Sequence, residues 1–210
     1  MPESGPGSVK EHATNAFNNP PDRQFLAGAN PDAGAIPAPG VWPLSDPLAL
    51  STVYATHDPA IAEARAAADP PEPNYARDGL PNVRALEQAV ARLEHAEDAL
   101  AVPSGMAAVA VTLLALLRSG DHVVTVDGGY CEIQGLLEEE MSRFGVETTC
   151  VAAGSTTAIA ESINSHTRLI VVETIANPSL RVADLPEIAS TARQYGVLLV
   201  VDNTLATPML

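Results

Sequence analysis

The stretch Val197-Leu198-Leu199-Val200-Val201-Asp202 decides the fold: five apolar residues without a polar break, closed by a carboxylate. A strand covered on one face alternates apolar and polar side chains, whereas one that is apolar throughout is covered on both. Residues 169–172, Leu-Ile-Val-Val, have the same unbroken character. Between the two lies a helical pattern over 185–195. This order predicts an α/β fold, a largely parallel sheet with helices on each side. Working back toward the N-terminus, strands are expected at 99–102, 122–126 and 147–151, and helices at 106–117, 133–144 and 156–163. From Pro81 onward, Val83, Leu86, Val90 and Leu93 recur at three- and four-residue intervals, predicting an amphipathic helix of about four turns. Its polar face is expected to carry Arg84, Glu87, Arg92 and Glu94. Residues 1–45, rich in Pro, Gly, Ala, Asn and Asp, read as a flexible leader and extended arm.

Hydrophobic residues make up 46% of the 210, enough for the core of one ordinary domain. The formal charge of −15 repels phosphate backbones and anionic lipid, which argues against nucleic-acid or membrane-surface partners. A less acidic protein partner suits it better. Cys131 and Cys150 form neither a metal-ligand spacing nor a disulfide framework, so two buried thiols in a reducing compartment are expected and no metal is. The N-terminus lacks the basic and apolar regions of a signal peptide, and a cytoplasmic location is expected. The apolar run over 99–117 is interrupted by Pro103, Ser104 and Gly105, leaving the length of a buried helix rather than a membrane span.

Ligands in parallel sheets collect at the carboxyl ends of strands, where four groups attract attention. Ser104-Gly105-Met106 falls between a predicted strand and helix, where free N–H groups and the positive helix end suit a phosphate; a tight turn needing glycine is the simpler reading. Asp202, followed by Asn203 and Thr204, could cap the next turn or hold a positive charge such as a protonated ring nitrogen. Tyr130, in the loop after 122–126, is either an ordinary loop tyrosine or a face for a planar ligand. Tyr75 and Arg77, two residues apart, would point the same way in an extended segment and grip a phosphate, or would simply be solvated.

Order and spacing bring these groups together. From about Gly34 to Leu210 the chain resembles the transsulfuration family of pyridoxal phosphate enzymes, which includes cystathionine γ-synthase, the cystathionine lyases and methionine γ-lyase. The resemblance is carried by L-A-L-S-T-V-Y-A-T from Leu48, the Tyr-Ala-Arg segment, L-E-Q-A-V-A-R-L-E, P-S-G-M-A-A, G-D-H-V-V, R-F-G-V, E-T-I-A-N-P-S-L and V-D-N-T-L-A-T-P. It implies the large domain of the aminotransferase-like fold, beginning at 81, preceded by an arm or loop segment over 46–80 that contacts a neighbouring subunit. Ser104, Gly105 and Met106 would then bind the cofactor phosphate, Tyr130 would stack on the ring, and Asp202, with Thr204 beside it, would pair with the ring nitrogen. Asn177 would serve both cofactor and substrate. Tyr75 and Arg77 would reach the phosphate of an adjacent subunit. Tyr130 and Asp202 would take the catalytic roles.

Two departures from the family pattern bear on the substrate. Tyr130-Cys131-Glu132-Ile133 replaces the usual Tyr-Gly-Gly/Cys-Thr turn and puts the Glu132 carboxylate beside the substrate, and Gly79-Leu80-Pro81-Asn82 replaces Gly-Asn-Pro-Thr. A larger departure is that the one lysine, Lys10, lies in the leader. The family's Ser-x-Thr-Lys segment and C-terminal domain would follow the position of Pro208 and lie beyond this sequence. The sheet accordingly reads as unfinished. The expectation is a split, heteromeric enzyme, a heterotetramer or larger, whose second polypeptide supplies that lysine and domain. Its reaction would be replacement or elimination at the γ- or β-carbon of an amino acid. The alternatives are a non-catalytic paralogue acting as an interaction subunit, or a fragment of a full-length enzyme.

Overall fold

The computed structural model describes residues 48–56, 58–68 and 74–209; the leader over 1–45, Lys10 included, lies outside the described residues. The chain divides into two units between Asn82 and Val83. In the first, an antiparallel bridge joins Val53 to Tyr75, flanked by Tyr54 N–H to Asn74 O at 2.9 Å and Ala76 N–H to Thr52 O at 2.8 Å. Helix α1, Pro59–Ala66, which sequence reading missed, starts at an Asp58 cap whose carboxylate accepts Ala60 N–H at 2.9 Å. Pro59 occupies its first turn, where no N–H is needed.

The second unit is a four-stranded parallel sheet in the order β2-β1-β3-β4, formed by His122–Val126 (β1), Glu147–Val151 (β2), Thr167–Glu173 (β3) and Leu198–Asp202 (β4). The central strands β1 and β3 are the most buried, and for β3 the unbroken apolar run over 169–172 predicts it. Their successive side chains go to opposite faces. Val123, Leu169 and Val171 join the core under helices α3, Gly105–Leu116, and α4, Cys131–Gly135. Val124, Ile170 and Val172 join the core under α5, Thr156–Ser162, and α6, Leu185–Tyr195. Each fully buried aliphatic side chain here contributes roughly 1.5–3 kcal/mol.

After β1 the chain moves to one neighbour, β2, and then crosses to the other side of β1 to form β3. The strand order therefore reverses between β1 and β3, and a crevice opens at their carboxyl ends.

Several sequence expectations need correction. Residues 99–102 form no ladder; instead the Glu87 carboxylate accepts Ala101 N–H at 2.9 Å, so this extended stretch hangs on helix α2, Pro81–Leu93. Glu87 is consequently buried, not on a solvated face, while Leu86 and Leu93 of the apolar stripe are 56% and 53% exposed. Helix α3 is likewise not buried all round: Leu113 is enclosed, but Leu114 is 58% exposed. β4 is covered unevenly, with Leu198 exposed. Helix α4 runs on as a π-helix over Leu136–Met141. Its buried residues Ile133, Leu137 and Met141 are spaced by four. In a 3.6-residue turn that series would drift by about 40° a step, and the widened turns counter the drift.

At the amino end of the sheet, His122 is buried between neighbouring strands. Its Nδ1 lies 2.8 Å from Thr167 Oγ1 and 3.3 Å from Asn164 Nδ2, and its Nε2 lies 2.8 Å from Thr149 Oγ1. Asn164 Nδ2 can only donate, so Nδ1 is an acceptor, Thr149 Oγ1 takes the proton of Nε2, and the ring fits as the neutral Nε2–H tautomer. Burial pushes the imidazole below its ordinary value; Glu147 opposes this and His166 reinforces it. A folded state that prefers the neutral ring is favoured above the unfolded value of 6.5 and loses that contribution as the pH falls below it. Urea midpoints should therefore drop as the pH is lowered through this range, and His122→Gln should flatten that part of the profile.

Candidate functional site

The carboxyl edge of the sheet collects most of the candidate residues. Ser104 caps α3, its Oγ accepting Ala107 N–H at 3.1 Å while its carbonyl accepts Ala108 N–H at 3.1 Å. The next two amides, Gly105 and Met106, have no acceptor among the described residues. Gly105 has no positive φ, and a Cβ built on it would meet nothing within 4 Å. The turn itself does not require a glycine, contrary to the simpler sequence reading. What the glycine leaves is open space over two free N–H groups at the positive end of a helix, a cradle for an anion.

Asp202 ends β4. Its Oδ1 accepts Thr204 N–H at 2.9 Å and the Thr204 hydroxyl at still closer range. No donor among the described residues reaches Oδ2. The two readings of this aspartate therefore coexist, since one oxygen caps the turn and the other can face a cation. Thr204 fixes the carboxylate. The parallel register places Asp202 opposite Glu173 of β3, and Thr174 N–H donates to Asp202 O at 3.0 Å. Thr174 Oγ1 also bonds Asn203 Oδ1 at 2.6 Å, which locks the β3 and β4 tips together.

Tyr130 stands at the cap of α4, 38% exposed, and its N–H donates to Glu173 Oε1 at 2.5 Å. Asn177 N–H donates to the other oxygen of Glu173 at 2.9 Å. Tyr130 and Asn177 are thus gathered at the end of β3 by one residue that sequence reading left without a role, while the β3–β4 register brings Asp202 alongside. The available signal was positional, an acid closing an otherwise apolar strand. Glu132 lies in the first turn of α4, exposed, with its Oε1 4.0 Å from Cys131 Sγ. Cys131 is exposed rather than buried. Burial, helped by Asp127 and Glu138, pushes the Cys150 thiol up, away from reactivity.

Tyr75 and Arg77 belong to the first unit. Tyr75 is extended, but Ala76–Asp78 is a 3₁₀ turn, so strand alternation does not align the pair. They meet by another route: the Arg77 guanidinium lies over the Tyr75 ring, 4.8 Å from its centroid, with Asp78 at 3.7 Å.

Residues 38–210 match the family described as Cys/Met metabolism PLP-dependent enzyme. The chain belongs to that family. It is 40% identical over 134 residues to cystathionine gamma-lyase of Bacillus subtilis, covering 64% of this chain and 35% of that one. With cystathionine gamma-synthase of Mycobacterium bovis it shares 36% over 194 residues, covering 92% of this chain and 47% of the other. A crystal structure of a putative O-acetylhomoserine (thiol)-lyase from Campylobacter jejuni, containing N'-pyridoxyl-lysine-5'-monophosphate, superposes with TM-score 0.74. It is 30% identical, covering 79% of this chain and 41% of that one. The structure of metB from Corynebacterium glutamicum gives TM-score 0.73 at 35% identity, covering 84% and 44%. This chain therefore spans about a third to a half of the length of the curated relatives it matches.

The family's cofactor, pyridoxal phosphate, fits the groups present. The Gly105 and Met106 amides suit its phosphate, the exposed Tyr130 ring its face, and the open Oδ2 of Asp202 its ring nitrogen. Gly105→Ala should leave the thermal midpoint of the protein unchanged or higher, because alanine is the better helix former. Its affinity for pyridoxal phosphate, measured by titration, should fall about tenfold, or ~1.4 kcal/mol, as a methyl enters the space over the free amides.

Proposed function

We propose that these 210 residues form the cofactor-binding portion of a pyridoxal phosphate enzyme of the transsulfuration type, with the anchoring lysine and the remaining domain supplied by a second polypeptide. The observation that carries the reading is the open Oδ2 of Asp202 at the end of β4, on the sheet edge that also presents Tyr130 and Asn177. The reaction is replacement or elimination at the γ- or β-carbon of an amino acid, with γ-replacement on an activated homoserine the first choice. Bound there, pyridoxal phosphate supplies an electron sink for the electrons released at the substrate α-carbon.

The chain's own residues define the rest. The α3 amides and helix end neutralise the phosphate. Asp202, held by Thr204, keeps a proton on the ring nitrogen through Oδ2, so the ring stays electron-poor. Tyr130 covers one face and excludes water, and its hydroxyl assists proton transfer at the substrate amine. The Asn177 amide orients the substrate carboxylate. Glu132, the departure from the family turn, lies two residues after Tyr130 and selects for a substrate with a positive or hydrogen-bond-donating end. Tyr75 and Arg77 are assigned to the phosphate of a neighbouring subunit, which makes the assembly an oligomer.

Within these 210 residues the one lysine, Lys10, stands 192 positions before Asp202, so the anchoring lysine is sought outside them. Co-purification with a partner carrying a Ser-x-Thr-Lys segment should yield a coloured complex, and borohydride reduction should place the label on the partner's lysine. In that complex Asp202→Asn should lower turnover about 100-fold or more while the protein still assembles. A complex that forms but never takes up the cofactor would favour an interaction subunit instead. A label on a longer form of this same chain would replace the split arrangement with a single polypeptide.

A further inference from the structure

β3 is apolar and buried from Leu169 to Val172 and closes on Glu173. That carboxylate reaches across the crevice to the loop after β1. Oε1 accepts Tyr130 N–H at 2.5 Å and Oε2 accepts Asn177 N–H at 2.9 Å. The two loops are tied a second time by Ser179 Oγ, which donates to Gly128 O at 2.8 Å. Gly129 confirms how close the carboxylate must come. A Cβ at Gly129 would overlap Glu173 Oε1, yet its φ is not positive, so the glycine makes room for the carboxylate rather than for a left-handed turn.

We propose that Glu173 is a positioning residue that sets the placement of Tyr130 and Asn177 about the cofactor, acting through their backbone amides and touching neither cofactor nor substrate. The inference rests on the pyridoxal phosphate site proposed above. A carboxylate is required because both of its oxygens accept; glutamine has one acceptor, and its NH₂ would face one of the two N–H groups. The ionised acceptor also makes each bond roughly twice as strong as a neutral one.

Glu173→Gln and Gly129→Ala disturb the bracket from opposite sides, one by replacing an acceptor and the other by displacing it. In either variant of the 210-residue protein, amide hydrogen exchange at Tyr130 or Asn177 should speed up about tenfold or more, while β1 and β3 stay within about twofold. Because both act on one contact, the double variant should add little to either single. With pyridoxal phosphate as the probe, under the conditions in which the unsubstituted protein binds it, affinity should fall about tenfold. The induced circular dichroism of the bound cofactor should change as the tyrosine ring shifts.

Unchanged exchange at both amides would overturn the proposal. Equal acceleration throughout β1 and β3 would also overturn it, since Glu173 would then support the fold at large. Faster exchange at the two amides with unaltered affinity and dichroism would remove the positioning role. Should the unsubstituted protein bind no pyridoxal phosphate, alone or with its partner, the proposed function fails and takes the positioning role with it. That failure is distinguishable from the others because the exchange measurement uses no cofactor.

Discussion

The in-register parallel pairing of β3 with β4 is the constraint on which the site depends. Leu169 to Val172 pair with Leu198 to Val201, and the next step in register sets Glu173 against Asp202. Both strands are apolar up to that step, so neither can slip by one residue without pulling a carboxylate into the core or leaving an aliphatic residue outside it. The same hydrophobic match that stabilises the sheet therefore places two acids side by side at its carboxyl edge. One turns to the β1 loop and the other remains open on one oxygen.

Around this pair the loops are held by short polar contacts rather than by packing. Thr174 reaches Asn203, Asn203 Nδ2 reaches Thr207 O at 2.9 Å and Glu94 Oε1 at 3.5 Å, and Ser179 reaches Gly128. Loops built in this way keep a fixed shape and still leave ring faces and amides exposed. The exposed Tyr130 and the unbonded Gly105 and Met106 amides follow from that division: the strands carry the stability, and the loop groups that the strands do not need remain available.

β3 was legible in the sequence because burial on both faces leaves an unbroken local signature, and β1, β2 and α6 also fall where they are expected. The failures share a physical cause, which is that periodicity reports amphipathic character and not the partner. Leu86, Val90 and Leu93 repeat as a helix face should, yet Ala91 and Glu87 are the buried positions of α2, because Glu87 carries the hydrogen bond that secures Ala101. Residues 99–102 have strand composition, but a ladder needs a neighbouring strand, and none among the described residues pairs with them. In the site, the residues with distinctive chemistry were found by type and order. Glu173 opens the quoted E-T-I-A-N-P-S-L segment and closes an apolar run, yet its role was missed because its partners are backbone amides, one of them in the distant loop after β1, which residue types do not reveal.

The acidic balance of the chain raises the question of how such a protein holds a phosphate. Net charge acts over distance and is screened within about 8 Å at physiological ionic strength, whereas hydrogen bonds from free amides act at contact. Parallel topology helps in a second way. Every strand ends, and every following helix begins, on the same edge of the sheet, so strand-end acids and helix-start amides share one rim. Asp202 and the N-terminus of α3 present opposite signs there. The proposed ligand, with a protonated ring nitrogen at one end and a phosphate at the other, would meet that polarity through the direction of the backbone rather than through any excess of basic side chains.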